Sequence, residues 1–346
     1  MTTQAATARS FREVRSTTTS RIAFVALVAA VVVIALAPQW GDASTTNTLV
    51  RFLTLLCLAQ MWNLLAGYAG LVSVGQQAFV GIGAYTLVYF GNERGLNIFL
   101  CVPLAGVIAA LIALPVAGAA FRLRGGYFAI GTWVIAEVFR LVISQFDALG
   151  GGTGTSLTAV VGIDLDTRQA VTLWLALAAG AGSILLVWWL LRSPLGQALR
   201  ALGDSEPAAA ALGVRVTRAK LVAFVISAAG CAIAGAVIYL NLLRVQPTAA
   251  FSINWTVFMI FIVVIGGLGT IEGPLLGTII FFALQEWLAD LGTWYLIILG
   301  VLAIAITIRM PNGLWGWFTQ RTGVSLFPVG RRLEVQSRAA PGATKE

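Results

Sequence analysis

Histidine is absent from all 346 residues, and charged side chains make up only 10% of them. The first absence removes the commonest metal ligand and the commonest acid–base group near neutral pH. The second excludes a water-soluble globular protein, in which roughly 25% of residues are charged. Cysteine is scarce too: Cys57, Cys101 and Cys231 stand singly in apolar runs, with no C-x-x-C spacing. They read as small buried hydrophobes, not as metal or redox ligands. No nucleophile–base set is visible, so no catalytic, metal or cofactor site is expected in this chain. The net charge of +8 does not point to nucleic acid, because the basic residues cluster at the ends of apolar runs, where they orient a membrane protein. What is abundant is apolar: 59% of the chain is hydrophobic. That composition belongs in a lipid bilayer.

Apolar runs broken by polar, Gly or Pro residues predict about ten membrane helices in an all-α polytopic protein. The expected spans are 22–38, 49–66, 72–90, 98–120, 127–146, 170–191, 221–242, 253–268, 274–289 and 293–309. Ten spans of ~20 residues use about 200 residues and leave no room for a large soluble domain. The third is the weakest, since Gly75, Gln76, Gln77, Gly81 and Gly83 dilute it. Such a segment should be buried against other helices, where small residues allow close approach. The first run follows Arg9, Arg12, Arg15 and Arg21 and resembles a signal peptide, with Ala35-Leu36-Ala37 as an A-x-A site. Pro38 after that site makes cleavage unfavourable, so the run is expected to remain as the first span.

The charges then orient the chain. With both termini cytoplasmic, Arg122, Arg124, the 192–220 segment and the tail from Arg309 to Lys345 fall inside. Asp42, Glu93, Arg94, Asp147, Asp164, Asp166, Arg168 and Asp290 fall outside. This partition follows the positive-inside rule; eight spans would fit if two weak segments were re-entrant. The expected organisation is a cytoplasmic tail over 1–21, a transmembrane domain over 22–310 with a cytoplasmic loop at 192–220, and a second cytoplasmic tail over 311–346.

The 192–220 loop reads as two short helices. Pro194 suits a first-turn position and opens a helix that Gly203 should end. Asp204 or Ser205 then caps a second helix from Glu206 to Leu212, where Glu206 favours the helix dipole and Gly213 supplies the stop. On the residues alone this is either a basic hairpin that anchors topology or a docking element for a partner.

Sequence resemblance narrows the choice. Glu206-Pro207-Ala208-Ala209-Ala210-Ala211-Leu212-Gly213-Val214 resembles the EAA-type coupling loop of ABC importer permeases. Its flanks, 193–201 and 217–221, are similar to branched-chain amino-acid permeases of the LivM type. So are the blocks 67–85, 122–130 and 265–274. Two departures stand out: Gln76 replaces the family's histidine, and 150–157 only loosely matches its T-G-G-x-x-G-L segment. The resemblance implies a type II ABC-importer-like fold and a permease subunit for branched-chain or related amino acids in a bacterial inner membrane. Urea or short amides are the alternative cargo, and an ion-coupled secondary transporter is the alternative class, disfavoured here by few midplane carboxylates and no clearly broken helix. The resemblance also implies partners: a second homologous permease of the LivH type, cytoplasmic ABC ATPases that use the ATP, and an extracytoplasmic solute-binding protein. Arg200, Asp204, Glu206, Ala208, Ala209 and Gly213 are the expected coupling residues.

Polar residues inside spans mark a possible route for a polar solute. Gln60, Asn63 and Gly67 share a helix face, and Ser73, Gln76 and Gln77 extend a polar patch. Either a translocation pathway or interhelical hydrogen bonding explains them. Glu137 and Arg140 are expected to form a buried ion pair that locks two spans, contacts a zwitterion or neutralises itself. Glu272 reads as the cap of a tight turn before Pro274. Gly150 to Gly154 lacks the ending of a phosphate loop and reads as a flexible outer loop near a receptor surface. Trp188, Trp189, Trp315 and Trp317 read as interfacial anchors.

Overall fold

A computed structural model describes residues 10–14, 18–288, 294–310, 312–322, 326 and 332–336; Arg9, Arg15, Asp290 and Lys345 lie outside the described residues. Strand β1 (Ser10–Val14) precedes α1 (Thr18–Ala35), the short α2 (Ala37–Trp40) and α3 (Ala43–Asn63). A π-helical turn, Leu64–Tyr68, extends α3 before the chain breaks. Then come α4 (Gln77–Thr86), with its own π-helical extension Leu87–Glu93, α5 (Ile98–Ala120) and α6 (Gly126–Ile143). Next are β2 (Thr155–Ser156), α7 (Leu165–Arg192), α8 (Pro194–Asp204), α9 (Glu206–Ala211) and α10 (Val216–Leu242). The remainder is β3 (Arg244–Val245), α11 (Pro247–Ala250), α12 (Asn254–Gly266), α13 (Glu272–Trp287), α14 (Trp294–Arg309), α15 (Gly313–Thr322) and β4 (Arg332–Gln336). The strands form two small antiparallel pairs, β1 with β4 and β2 with β3.

Each expected apolar run overlaps a helix. Among the described residues, seven helical stretches are long and apolar enough to cross a bilayer. The chain is therefore a multi-pass, all-α membrane protein. Helix starts follow local chemistry. The Asp42 carboxylate accepts from the amide and the hydroxyl of Thr45 at 2.9 and 2.5 Å, capping α3. Those bonds hold its carboxyl below the usual carboxylate range. Asp164 caps α7 in the same way, through the amides of Asp166 and Thr167.

Helix α3 is the central post of the bundle, with 83% of its apolar window buried. Helix α10 packs on it and on α4 and α5 through small residues. A Cβ on Gly83 or Gly235 would strike the carbonyl oxygen of Ala232 or Val80 on the facing helix. Bilayer helices lack a hydrophobic drive to associate, so close backbone approach supplies the contact instead. Helix α6 is the opposite case: only 17% of its window is buried within the chain.

The third expected span departs from its prediction. Residues 70–76 are not continuous helix, and α4 begins only at Gln77. The segment folds back beside the last turns of α3, where the indole of Trp62 donates to the carbonyl of Ser73 at 2.8 Å. Thr132 of α6 accepts from the Val74 amide at 3.1 Å. Gly70, with φ +66°, and Gly75 disfavour helix here. Non-helical backbone survives in a bundle only where protein groups satisfy it. A broken span is thus present where the sequence suggested an unbroken one.

Candidate functional site

The 192–220 loop folds as the expected hairpin, with one local difference at Gly203. Ser193 caps α8 by accepting from the Gly196 amide at 3.3 Å, and Ser205, not Asp204, caps α9 through the Ala208 amide at 3.4 Å. Gly203 does not end α8, which runs on to Asp204. Its missing side chain instead allows close approach, since a Cβ there would lie 3.1 Å from the Tyr68 carbonyl oxygen. Gly213 does stop α9, in the left-handed region at φ +83°.

Within the hairpin, Asp204, Glu206, Ala208 and Gly213 are exposed and Arg200 is half-buried. Ala209 turns inward and is buried, so it seats the hairpin and offers no surface. Glu206 pairs with Lys220 at 2.7 Å, tying α9 to the start of α10. Leu212 is the residue that sequence reasoning passed over. It is 81% exposed at the hairpin tip, between the Ala run and the Gly stop. An apolar residue at that place in a polar loop is the signal that was available.

The hairpin rests on the π-helical turn after α3, and that turn touches a second break. A Cβ on Gly67 would come within 2.5 Å of the Gly269 amide nitrogen. Asn63 donates to the Thr270 carbonyl at 2.8 Å and accepts from the Gly269 amide at 2.9 Å. Gln60 donates to the Ile271 carbonyl at 2.7 Å. Residues 267–271, between α12 and α13, therefore hang from two amide side chains of α3. The Gly-rich blocks near residues 67 and 269, far apart in sequence, form one joint. Glu272 begins α13 and accepts from the Leu326 amide at 3.0 Å; the turn before Pro274 is capped not by it but by Thr270, whose hydroxyl accepts from the Gly273 amide at 3.0 Å.

Ser73, Gln76 and Gln77 are brought together above this joint. The Gln76 side-chain nitrogen lies 3.4 Å from the Ser73 hydroxyl, while Ser227 of α10 donates to the Met61 carbonyl at 2.9 Å. The Gln77 amide donates to the Thr256 hydroxyl of α12 at 3.3 Å, and that hydroxyl donates back to the Gln77 side-chain oxygen. All five of Gln60, Asn63, Ser73, Gln76 and Gln77 are fully buried. They act as internal stitches.

Glu137 and Arg140 do not join this cluster. They pair with each other, Arg140 Nε donating to both carboxylate oxygens at 2.8 and 2.9 Å. The expected buried pair is instead half-exposed, the Glu137 side chain at 45%. The cause is the placement of α6 at the rim of the bundle, with its outer face uncovered by this chain. The 150–154 loop is also tied, not free: Gly154 donates to the Gly150 carbonyl at 3.0 Å and β2 pairs with β3. Among the described residues no group of histidine, cysteine and carboxylates is arranged to hold a metal ion.

A family model described as branched-chain amino acid transport system / permease component matches residues 44–307. The permease LivM of a high-affinity branched-chain amino acid system in Salmonella typhimurium is 31% identical, over 73% of this chain and 65% of its own length. The corresponding LivM protein of Escherichia coli is 30% identical, over 83% of this chain and 74% of its own. The ribose import permease RbsC of Haemophilus influenzae is 26% identical, over 63% and 70%. The chain thus spans just under two thirds of the Salmonella protein. No solved structure gives a significant match. The matched region runs from α3 into α14 and contains the hairpin, both breaks and the joint between them, so the chain belongs to the family of branched-chain amino acid transport permease components.

Proposed function

We propose that this chain is a transmembrane permease subunit of an ATP-driven importer for branched-chain amino acids. The observation that carries the reading is the α8–α9 hairpin seated on the π-helical turn of α3. A surface handle in direct contact with a broken membrane helix is what a separate motor needs to move the bundle. The chain itself binds no cofactor in this reading; cytoplasmic ABC ATPases use the ATP. A second homologous permease of the LivH type completes the channel, and an extracytoplasmic solute-binding protein delivers cargo. Binding energy at the ATPases moves the hairpin, and the spans rock between inward and outward access.

The same reading takes ten spans with both termini cytoplasmic, in a bacterial inner membrane. The placement of two acidic caps supports it: Asp42 and Asp164 both lie at helix ends opposite the basic hairpin. The 1–21 and 311–346 segments are then cytoplasmic tails around the 22–310 domain. Arg200, Asp204, Glu206, Ala208 and Gly213 carry the contact with the motor, with Ala209 holding the hairpin's shape. Gln60, Asn63, Ser73, Gln76 and Gln77 set the broken helices beside the route, and Glu137 and Arg140 face outward from α6. The likeness to LivM proteins favours amino acids over urea or short amides, and a motor-driven importer over an ion-coupled carrier.

Reconstitution of the four components in proteoliposomes tests this. Leucine uptake should require ATP, both permeases and the receptor. Uptake by this chain alone under an ion gradient would overturn the reading.

A further inference from the structure

The end of the bundle opposite the hairpin holds a cavity of about 330 Å³ that the polar stitches do not line. It sits where the start of α3, the last turns of α10, the start of α12 and the end of α13 converge. Helix α10 is 27 residues long, which puts this cavity about 40 Å from the hairpin. The size falls within the roughly 300–1,000 Å³ of ordinary small-molecule sites.

Its wall is mostly apolar with a few polar groups. Ile238, Leu242, Trp255 and Phe258 supply apolar and aromatic surface. Arg51, Asn241 and Gln285 supply the polar groups. Arg51 is held in place: its Nη2 lies 3.4 Å from the Gln285 side-chain oxygen, and its guanidinium sits 5.8 Å from the centre of the Phe282 ring. Arg51 is exposed near the start of α3, and these two contacts, neither with a carboxylate, aim its guanidinium. A second cavity, of about 460 Å³, shares Leu242, Trp255 and Phe258 and adds Arg244, Gln246 and Asn254 at its margin. The two cavities adjoin across these three shared residues.

We infer that this cavity is the outward-facing binding site for a zwitterionic amino acid with an apolar side chain. The α-carboxylate takes the guanidinium of Arg51, in the bidentate geometry that arginine favours. The ammonium group takes the side-chain oxygens of Asn241 and Gln285. The branched side chain lies against Ile238, Leu242 and Phe258. A free sugar has no carboxylate for Arg51 and would leave the apolar wall facing hydroxyl groups, so the site discriminates between these two cargo classes. The inference rests on the importer reading above and names the residues that receive its cargo.

The test uses the assembled importer in proteoliposomes, with receptor, ATPases and both permeases. Asn241→Cys is treated from the outside with a membrane-impermeant thiol reagent; Cys57, Cys101 and Cys231 are buried and supply little background. Modification should cut leucine uptake at least ten-fold, and excess leucine should slow the labelling several-fold, whereas ribose should not. In parallel, Arg51→Gln should raise the KM for leucine at least ten-fold and Arg51→Lys should recover part of it, with co-purification of the partner subunits as the check on folding. Undiminished uptake by the modified complex, or identical KM values for wild type and Arg51→Gln, would overturn the site. If the unmodified wild-type complex takes up no branched-chain amino acid at all, the importer reading itself fails.

Discussion

Asn63 donates to the carbonyl oxygen of Thr270 at 2.8 Å, across 207 positions of sequence. The same side chain accepts from the Gly269 amide. One buried amide side chain thus satisfies two backbone groups of the turn between α12 and α13. Replacement by Ala leaves both groups unpartnered, at about 1–3 kcal/mol each. Asn63→Ala should therefore lower stability by at least about 2 kcal/mol, measured by denaturant unfolding in micelles. An unchanged midpoint would mean that the 267–271 segment is held by other contacts.

The seat of the hairpin gives a different expectation. Gly203→Leu places a side chain where even a Cβ would be 3.1 Å from the Tyr68 carbonyl. The hairpin must lift, and motion at the ATPases would no longer reach α3. Uptake should drop at least ten-fold while the assembled complex continues to hydrolyse ATP. Hydrolysis and uptake falling in equal proportion would point to lost assembly instead.

At the hairpin surface, Glu206→Arg and Gly213→Pro should abolish uptake and leave membrane insertion intact. Stability is not the reason. The Glu206–Lys220 pair is exposed on its Glu206 side, and such pairs contribute at most about 1 kcal/mol. Leu212→Ser should weaken capture of the ATPases in a pull-down, because the exposed apolar tip is the natural anchor for a partner groove. Normal uptake by all three variants would refute the handle.

Glu137→Gln separates a locking pair from an outward-facing one. Loss of one partner of a buried pair costs about 3–5 kcal/mol, but this pair is half-exposed. The open side of α6 faces lipid or detergent and not water, so the isolated chain should lose about 1–3 kcal/mol, less than a fully buried pair would. Uptake by the complex should nevertheless fall, since Arg140 is left uncompensated on the face that this chain leaves open. A large loss of stability in the isolated chain would restore the buried-pair account.

The Asp42 cap predicts a pH effect with a definite sign. Thr45 holds the Asp42 carboxyl low, so the folded form binds its proton less readily than the unfolded chain. The cap contributes fully above the unfolded carboxylate value and is lost as pH falls through the lower folded value, below about pH 4. Melting temperature followed through that range should decline less in Asp42→Asn than in wild type. Parallel curves would show that the cap does not titrate in this window.

Much of this was legible in the residues. Scarce charge and long apolar runs require lipid, and caps such as Ser193 and stops such as Gly213 are local chemistry that acts within a few residues. The hairpin was readable for that reason. The Glu137–Arg140 pair was also readable, because a three-residue spacing fixes neighbours on a helix, yet its exposure was not. Whether a helix stands at the centre or the rim depends on every other helix in the bundle.

Periodicity, charge placement and capping are settled within one or two helical turns, so the solvent, most of the helices and the hairpin follow from the residues alone. Packing of the bundle is what makes residues 70–76 leave the helix, turns Gly203 into a seat and not a stop, and brings Asn63 to Thr270. Those outcomes depend on which distant backbone comes close enough to satisfy an amide or exclude a side chain, and no local pattern encodes that distance.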